Sequence, residues 1–154
     1  MEPHQLDKLD RAILSVLQKD ASISLDSLGE EVGLSRNGVW RRVRAMEDVG
    51  IIKARVAVLD PEHLGLGLSV FIQIRTRHHD ADWTESFRRA CRAIPEILGA
   101  YRMTGDLDYL VHARVADVAG YDRLYKRLID RVDMSDVSAS FVMEELKETT
   151  ALPL

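Results

Sequence analysis

The sequence predicts an α+β chain in two parts, a helix-turn-helix followed by a ferredoxin-like βαββαβ domain. Three observations predict it. Apolar residues recur at helical spacing through residues 6–32, a glycine turn leads into a serine-capped basic segment at 33–44, and strand-like alternation sets in after residue 67. The expected boundaries are 1–54 for the helix-turn-helix, 55–67 for a linking strand and hinge, and 68–154 for the second domain.

Leu6, Leu9, Ile13, Val16 and Leu17 form the stripe of a first amphipathic helix that ends near Asp20. Ser24 suits the N-cap of a second short helix, with Leu25, Leu28 and Val32 facing inward. Gly33 breaks that helix, because a left-handed turn residue is cheap for glycine. Leu34 plugs the turn, Ser35 caps a third helix running to about Val49, and Gly50 closes it. Ile51 to Leu59 reads as an extended segment.

Around the third helix, Val39, Val43 and Met46 fall on one side and Asn37, Arg41 and Arg44 on the other. Arginine pairs with guanine O6 and N7, and asparagine with adenine N6 and N7, so the outer face suits a major groove. Ser35 and Arg36 stand at the helix start, where such helices enter the groove. Trp40 lies on the shoulder, for a thymine methyl or for packing against a neighbouring element. Arg42, Lys53 and Arg55 are assigned to phosphates. Gly38 inside the helix costs roughly 1 kcal/mol relative to alanine. A basic helix face alone is usually solvated surface; the glycine turn, the capping serine and the preceding helices shift the reading to DNA.

Net charge is −4, which taken whole argues against nucleic acid. Its distribution does not: residues 36–55 hold six basic side chains against Glu47 and Asp48, a local footprint for phosphate. No apolar run is long enough to span a bilayer, and the start lacks the pattern of a signal peptide, so a cytosolic protein is expected. A single cysteine, Cys91, excludes an intrachain disulfide or a zinc site built on cysteine pairs, and its apolar surroundings point to a buried thiol.

In the second part Val70, Ile72 and Ile74 share a strand face. Trp83, Phe87, Ala90, Cys91 and Ile94 mark a helix stopped by Pro95. Strands at about 97–103 and 109–115 flank Thr104-Gly105-Asp106-Leu107-Asp108. Tyr121, Leu124, Leu128 and Val132 mark a helix, and Val137, Ala139, Phe141 and Met143 a last strand. A core this thin favours self-association.

Asp106 and Asp108 can be turn residues bonding their own backbone or an acid/base pair; turn chemistry is favoured. His78-His79-Asp80 has no second ligand cluster and reads as a solvated loop rather than a metal site. His112, opposite the Val111–Ala113 face, reads as packing or an oligomer contact. No nucleophile with a paired histidine and no glycine-rich phosphate loop stands out, so neither an enzyme nor a bound cofactor is expected. The apolar tail, Thr149 to Leu154, is expected to pack on its own or a neighbouring subunit.

Several segments, in order and spacing, resemble the Lrp/AsnC (feast/famine) family of bacterial regulators. They are Leu6-Asp7-x-x-Asp10-x-x-Ile13-Leu14, Gly33-Leu34-Ser35, Arg41-Arg42-Val43 and Gly50-Ile51-Ile52, then Val58-Leu59-Asp60-Pro61, Thr104-Gly105-Asp106-Leu107-Asp108-Tyr109 and Thr149-Thr150-Ala151-Leu152-Pro153-Leu154. The resemblance implies a winged helix-turn-helix on operator DNA and a C-terminal RAM domain that binds an effector and oligomerises. It further implies homodimers formed through the sheet, tetramers of dimers, and an amino acid held between dimers. It places the effector at Met103, Thr104, Gly105, Asp106, Leu107, Asp108 and Tyr109, with backbone groups on the ligand carboxylate and a loop aspartate, Asp106 or Asp108, on its ammonium.

Within the family the chain resembles the DecR-type subgroup through Ile74-Arg75-Thr76-x-His78-His79-x-x-x-Trp83, Arg102-Met103 and Tyr121-Asp122-x-x-Tyr125-Lys126-Arg127-Leu128. That implies cysteine as effector, with leucine or methionine as alternatives. Arg36-Asn37-Gly38 departs from the small or proline-rich helix start common in relatives and bears on the operator sequence. The rival readings are an enzyme using Asp106 and Asp108, and a helix-turn-helix that binds protein.

Overall fold

A computed structural model describes residues 5–154. The chain divides into two compact units: residues up to 58 together with 147–154, and residues 59–146. By packing, the division lies at 58/59 and residues 147–154 group with the first unit.

The first unit contains α1 (Lys8–Leu17), α2 (Leu25–Val32) and α3 (Arg36–Asp48). Each begins on a side chain that accepts an otherwise orphaned helix N–H: Asp7 from Asp10, Ser24 from Ser27, Ser35 from Gly38. Asp7 and Asp10 cap each other reciprocally, each side chain accepting from the other's backbone N–H. Ile13, Leu28, Val39 and Met46 are fully buried, with Leu14 and Val43 nearly so, and join the three helices into one core.

The turn between α2 and α3 depends on two glycines. Gly33 ends α2 at φ +70°, and Leu34 N–H then donates to Gly29 O at 2.8 Å. Gly29 is needed for a different reason: a Cβ there would lie 2.5 Å from the Leu34 carbonyl oxygen. The clash is with backbone, so the turn itself would have to open. Gly29→Ala is expected to cost roughly 1–3 kcal/mol, read as a lower melting temperature of the first unit.

Residues 53–60 form no strand, contrary to the extended linking strand expected there. Val56 and Val58 alternate as a strand would, but a ladder needs a second strand, and none lies alongside among the described residues; Val56 stays 77% and Val58 82% exposed. The tail, by contrast, is fastened. Gln18 Nε2 donates to Leu152 O, and Leu152 N–H donates to Gln18 Oε1, both at 2.9 Å.

The second unit contains β1 (Leu68–Arg75), α4 (Ala81–Ala93), β2 (Ile97–Arg102), β3 (Tyr109–Val115), α5 (Val118–Ile129) and β4 (Asp136–Phe141). The antiparallel sheet has the order β2-β3-β1-β4, the ferredoxin-like arrangement. Alternation sends Val70, Ile72, Ile74, Val111 and Ala113 to the face covered by α4 and α5, where Phe87, Ala90, Ile94, Leu124 and Leu128 meet them. On the other face His112 stacks on Phe71 at 4.6 Å, and its Nε2 lies 2.9 Å from Ser69 Oγ. Cys91 is buried in the helix-side core, which pushes its thiol up to about 11 and keeps it neutral.

Candidate nucleic-acid interface and effector loop

Helix α3 presents two chemically distinct faces. Val39, Val43 and Met46 are buried, and Ser35, Arg36, Asn37, Trp40, Arg41 and Arg44 are exposed. Trp40 is 57% exposed, so more than half of its surface is open on the shoulder of the helix. Arg41 has no hydrogen-bond or ion-pair partner among the described residues. Arg44 lies 3.7 Å from Glu47 and 3.6 Å from Asp48, and Arg36 3.8 Å from Asp26, all on the surface, where such pairs are weak and give way to a stronger ligand. Lys53 is exposed, and Arg55 is also exposed but bonds Glu47 at 2.7 Å.

Arg42 is different, and its assignment to phosphate is corrected. Its Nη1 bonds Asp7 at 2.7 Å and Asp10 at 2.8 Å, and Asp10 is a buried carboxylate. The guanidinium therefore ties α3 to the capping box of α1, a structural role in place of the expected one. Nothing local signals this, because the partners stand 35 and 32 residues away.

The same contact gives the first unit an acid-sensitive joint. The Asp10 N–H, and secondly Arg42, hold the Asp7 carboxyl below its ordinary range. A carboxyl depressed in the folded state stabilises it above the unfolded value, and that contribution is lost as pH falls through the folded value. The melting temperature is therefore expected to drop between about pH 5 and pH 2, less steeply in Asp7→Asn.

The 103–108 loop is fastened at its ends and open in the middle. Met103 N–H donates to Asp108 O at 2.9 Å, and Asp108 N–H to Ile74 O at 3.1 Å. The Asp108 carboxylate accepts from Thr76 N–H at 2.8 Å, and Arg75 Nε donates to Asp106 O at 2.9 Å. Gly105 has φ +103°, which turns the chain between these anchors. The Asp106 side chain is exposed and has no partner among the described residues; Met103 and Thr104 are exposed and Leu107 half-buried. Asp108 is thus occupied with the turn.

Tyr109 is corrected from loop to core: its ring is 7% exposed and packs on Phe87 at 4.6 Å and Trp83 at 5.4 Å. Its parity with Val111 and Ala113 on β3 was the available signal. Arg75, which holds the loop backbone, is not among the effector residues expected from the sequence. Among the described residues no group of three or more His, Cys, Asp or Glu is placed to hold a metal; His78 lies 3.2 Å from Asp133, both exposed.

Residues 6–53 match the family described as winged helix-turn-helix DNA-binding, and residues 69–152 the Lrp/AsnC ligand binding domain. The chain belongs to the Lrp/AsnC family. Similar relatives include the glutamate uptake regulatory protein of Zymomonas mobilis, 49% identical with 97% of this chain and 92% of that protein covered. The DNA-binding transcriptional activator DecR of Escherichia coli is 47% identical, with 97% and 99% covered, which places this Lrp/AsnC protein in a DecR-like subgroup. Among solved structures, an AsnC family regulator from Agrobacterium tumefaciens superposes with a TM-score of 0.93 at 44% identity, covering 96% of this chain and 97% of that one. A transcriptional regulator from Neisseria meningitidis in complex with L-methionine superposes with a TM-score of 0.92 at 37% identity, covering 97% of each.

Proposed function

We propose that this Lrp/AsnC regulator binds operator DNA through Asn37, Arg41 and Arg44 and changes its DNA binding when a small amino acid, cysteine foremost, occupies the 103–106 loop. The observation that carries the DNA part is the outer face of α3, where Arg41 is exposed without a partner among the described residues. Ser35 and Arg36 at the helix start and Trp40 on its shoulder border the groove, and Lys53 and Arg55 supply phosphate contacts. In the loop, Asp106 receives the effector ammonium and the backbone N–H groups around Gly105 its carboxylate. Cysteine follows from the DecR-type motifs of the sequence; methionine or leucine is the second reading, supported by a methionine-bound relative and a leucine-responsive one.

The protein acts in the cytosol as a homodimer, further assembled as a tetramer of dimers, with two copies of α3 reaching major grooves about 34 Å apart. It is a regulator rather than an enzyme, a reading supported by relatives that are transcription regulators and by Asp108 holding the Thr76 N–H. By linkage, effector and DNA alter each other's affinity by the same factor.

Two experiments test the reading. Gel shift with DNA from the protein's own promoter region is expected to show a complex that dissolves as salt rises. Thermal-shift screening of the twenty amino acids is expected to select cysteine, with Asp106→Asn abolishing the shift and Asp108→Asn lowering the basal melting temperature instead. A uniform null across the amino acids counts against the loop, and a shift with methionine alone establishes the second reading.

A further inference from the structure

The second unit has a cavity that neither DNA reading nor the 103–106 loop uses. It lies between α4 and β2 and has a volume of about 550 Å³, within the size range of small-molecule sites. Its floor is finished core: Phe87, Cys91, Ile94 and Tyr109 each expose under a tenth of their surface and need no rearrangement to receive a ligand. The buried Cys91 thiol adds to the apolar floor, since burial keeps it protonated.

The rim is cationic. Arg88 and Arg92 stand one turn apart on α4, and Arg102 ends β2 across from them. Among the described residues no aspartate or glutamate lines the cavity. Arg88 pairs with Glu85 on its own helix, whereas Arg92 and Arg102 have no hydrogen-bond or ion-pair partner among the described residues. On the strand side Gly99 and Ala100 add almost no bulk. β2 is the edge strand, so its far side carries no further strand in the unit.

Two unpaired guanidiniums above a preformed apolar floor match one ligand chemistry. A carboxylate presents two oxygens to the planar guanidinium fork, and a compact apolar body behind it fills the floor. Inorganic phosphate would satisfy the rim and leave the floor empty, while a neutral apolar molecule would do the reverse. We infer that the groove between α4 and β2 is a second ligand site, separate from the 103–106 loop, for a small organic carboxylate with an apolar body.

Hexanoate is the probe, titrated calorimetrically into the full chain in its own assembly state. Binding in the millimolar range is expected for a ligand of this size, and at least tenfold weaker binding for hexanol and for phosphate. The double variant Arg92→Gln, Arg102→Gln is expected to weaken hexanoate at least tenfold. Both side chains are exposed, so the melting temperature should hold. Ala100→Phe, which fills the groove from the strand and keeps every charge, is expected to abolish binding. Saturating cysteine is expected to leave hexanoate binding unchanged, which separates this site from the effector loop. The inference is overturned by any of three results: the parent protein does not bind hexanoate, hexanol binds as well as hexanoate, or the double variant binds hexanoate as the parent does.

Discussion

Arg41→Ala is expected to lower operator affinity about tenfold or more while leaving thermal stability unchanged. The side chain is exposed on α3, opposite the buried Val39, Val43 and Met46, and makes no hydrogen bond or ion pair with any described residue. What is lost is a contact to DNA. A bidentate arginine–guanine pair is worth about 1–3 kcal/mol, or roughly 5- to 150-fold in affinity. Competition against scrambled DNA tells base reading from phosphate binding. A base contact relaxes discrimination at one operator position, whereas a phosphate contact weakens all sequences alike and lowers the salt slope by about one. Arg44→Ala should follow in the same direction. If Arg41→Ala and Arg44→Ala both bind as tightly as the parent, the reading face lies elsewhere.

The neighbouring substitution should do nearly the opposite. Arg42→Ala removes the cation shared by Asp7 and Asp10 and leaves the buried Asp10 carboxylate with the Asp7 N–H but no counter-ion. Stranding a buried charge costs far more than losing a surface pair, and the first unit is small. A melting temperature lower by about 10 °C is expected. Any DNA affinity measured well below that transition should approach that of the parent. Arg42→Lys should recover part of the loss, since an ammonium restores the charge but not the two-carboxylate geometry. Unchanged stability in Arg42→Ala, with DNA binding lost, would return Arg42 to the interface.

These two adjacent arginines mark how far the sequence carries. Helical periodicity places Arg41 outward and the Val39–Val43–Met46 stripe inward, because both depend only on residue spacing along one helix. The fate of Arg42 depends on α1 approaching α3, a contact made by residues more than thirty positions away. Gly29 eluded the reading for a related reason: in the sequence it is a glycine inside a helical pattern, and only the returning Leu34 carbonyl shows why no Cβ is tolerated. The βαββαβ order was legible because strand alternation and Pro95 are local signals. The segment after Gly50 departs from its expected strand, since alternation at Val56 and Val58 describes a strand's side chains but supplies no partner for its backbone. In the effector loop, two aspartates one residue apart look equivalent until Thr76 claims one of them.

The clasp between Gln18 and Leu152 bears on how the chain folds. Residues 59–146 are inserted between the two segments that build the first unit, and the clasp joins positions 134 residues apart. Closing so long a loop from an unfolded chain is slow and costs entropy. Once the inserted sheet and helices have formed, the slack is taken up and closure becomes a local event. During synthesis α1, α2 and α3 emerge early, but the segment that fastens onto α1 follows only after the entire insertion. Damage deep in the sheet, at Ile72 or Val111 for example, would therefore reach the DNA-binding unit by releasing its tail, without touching any residue that faces DNA.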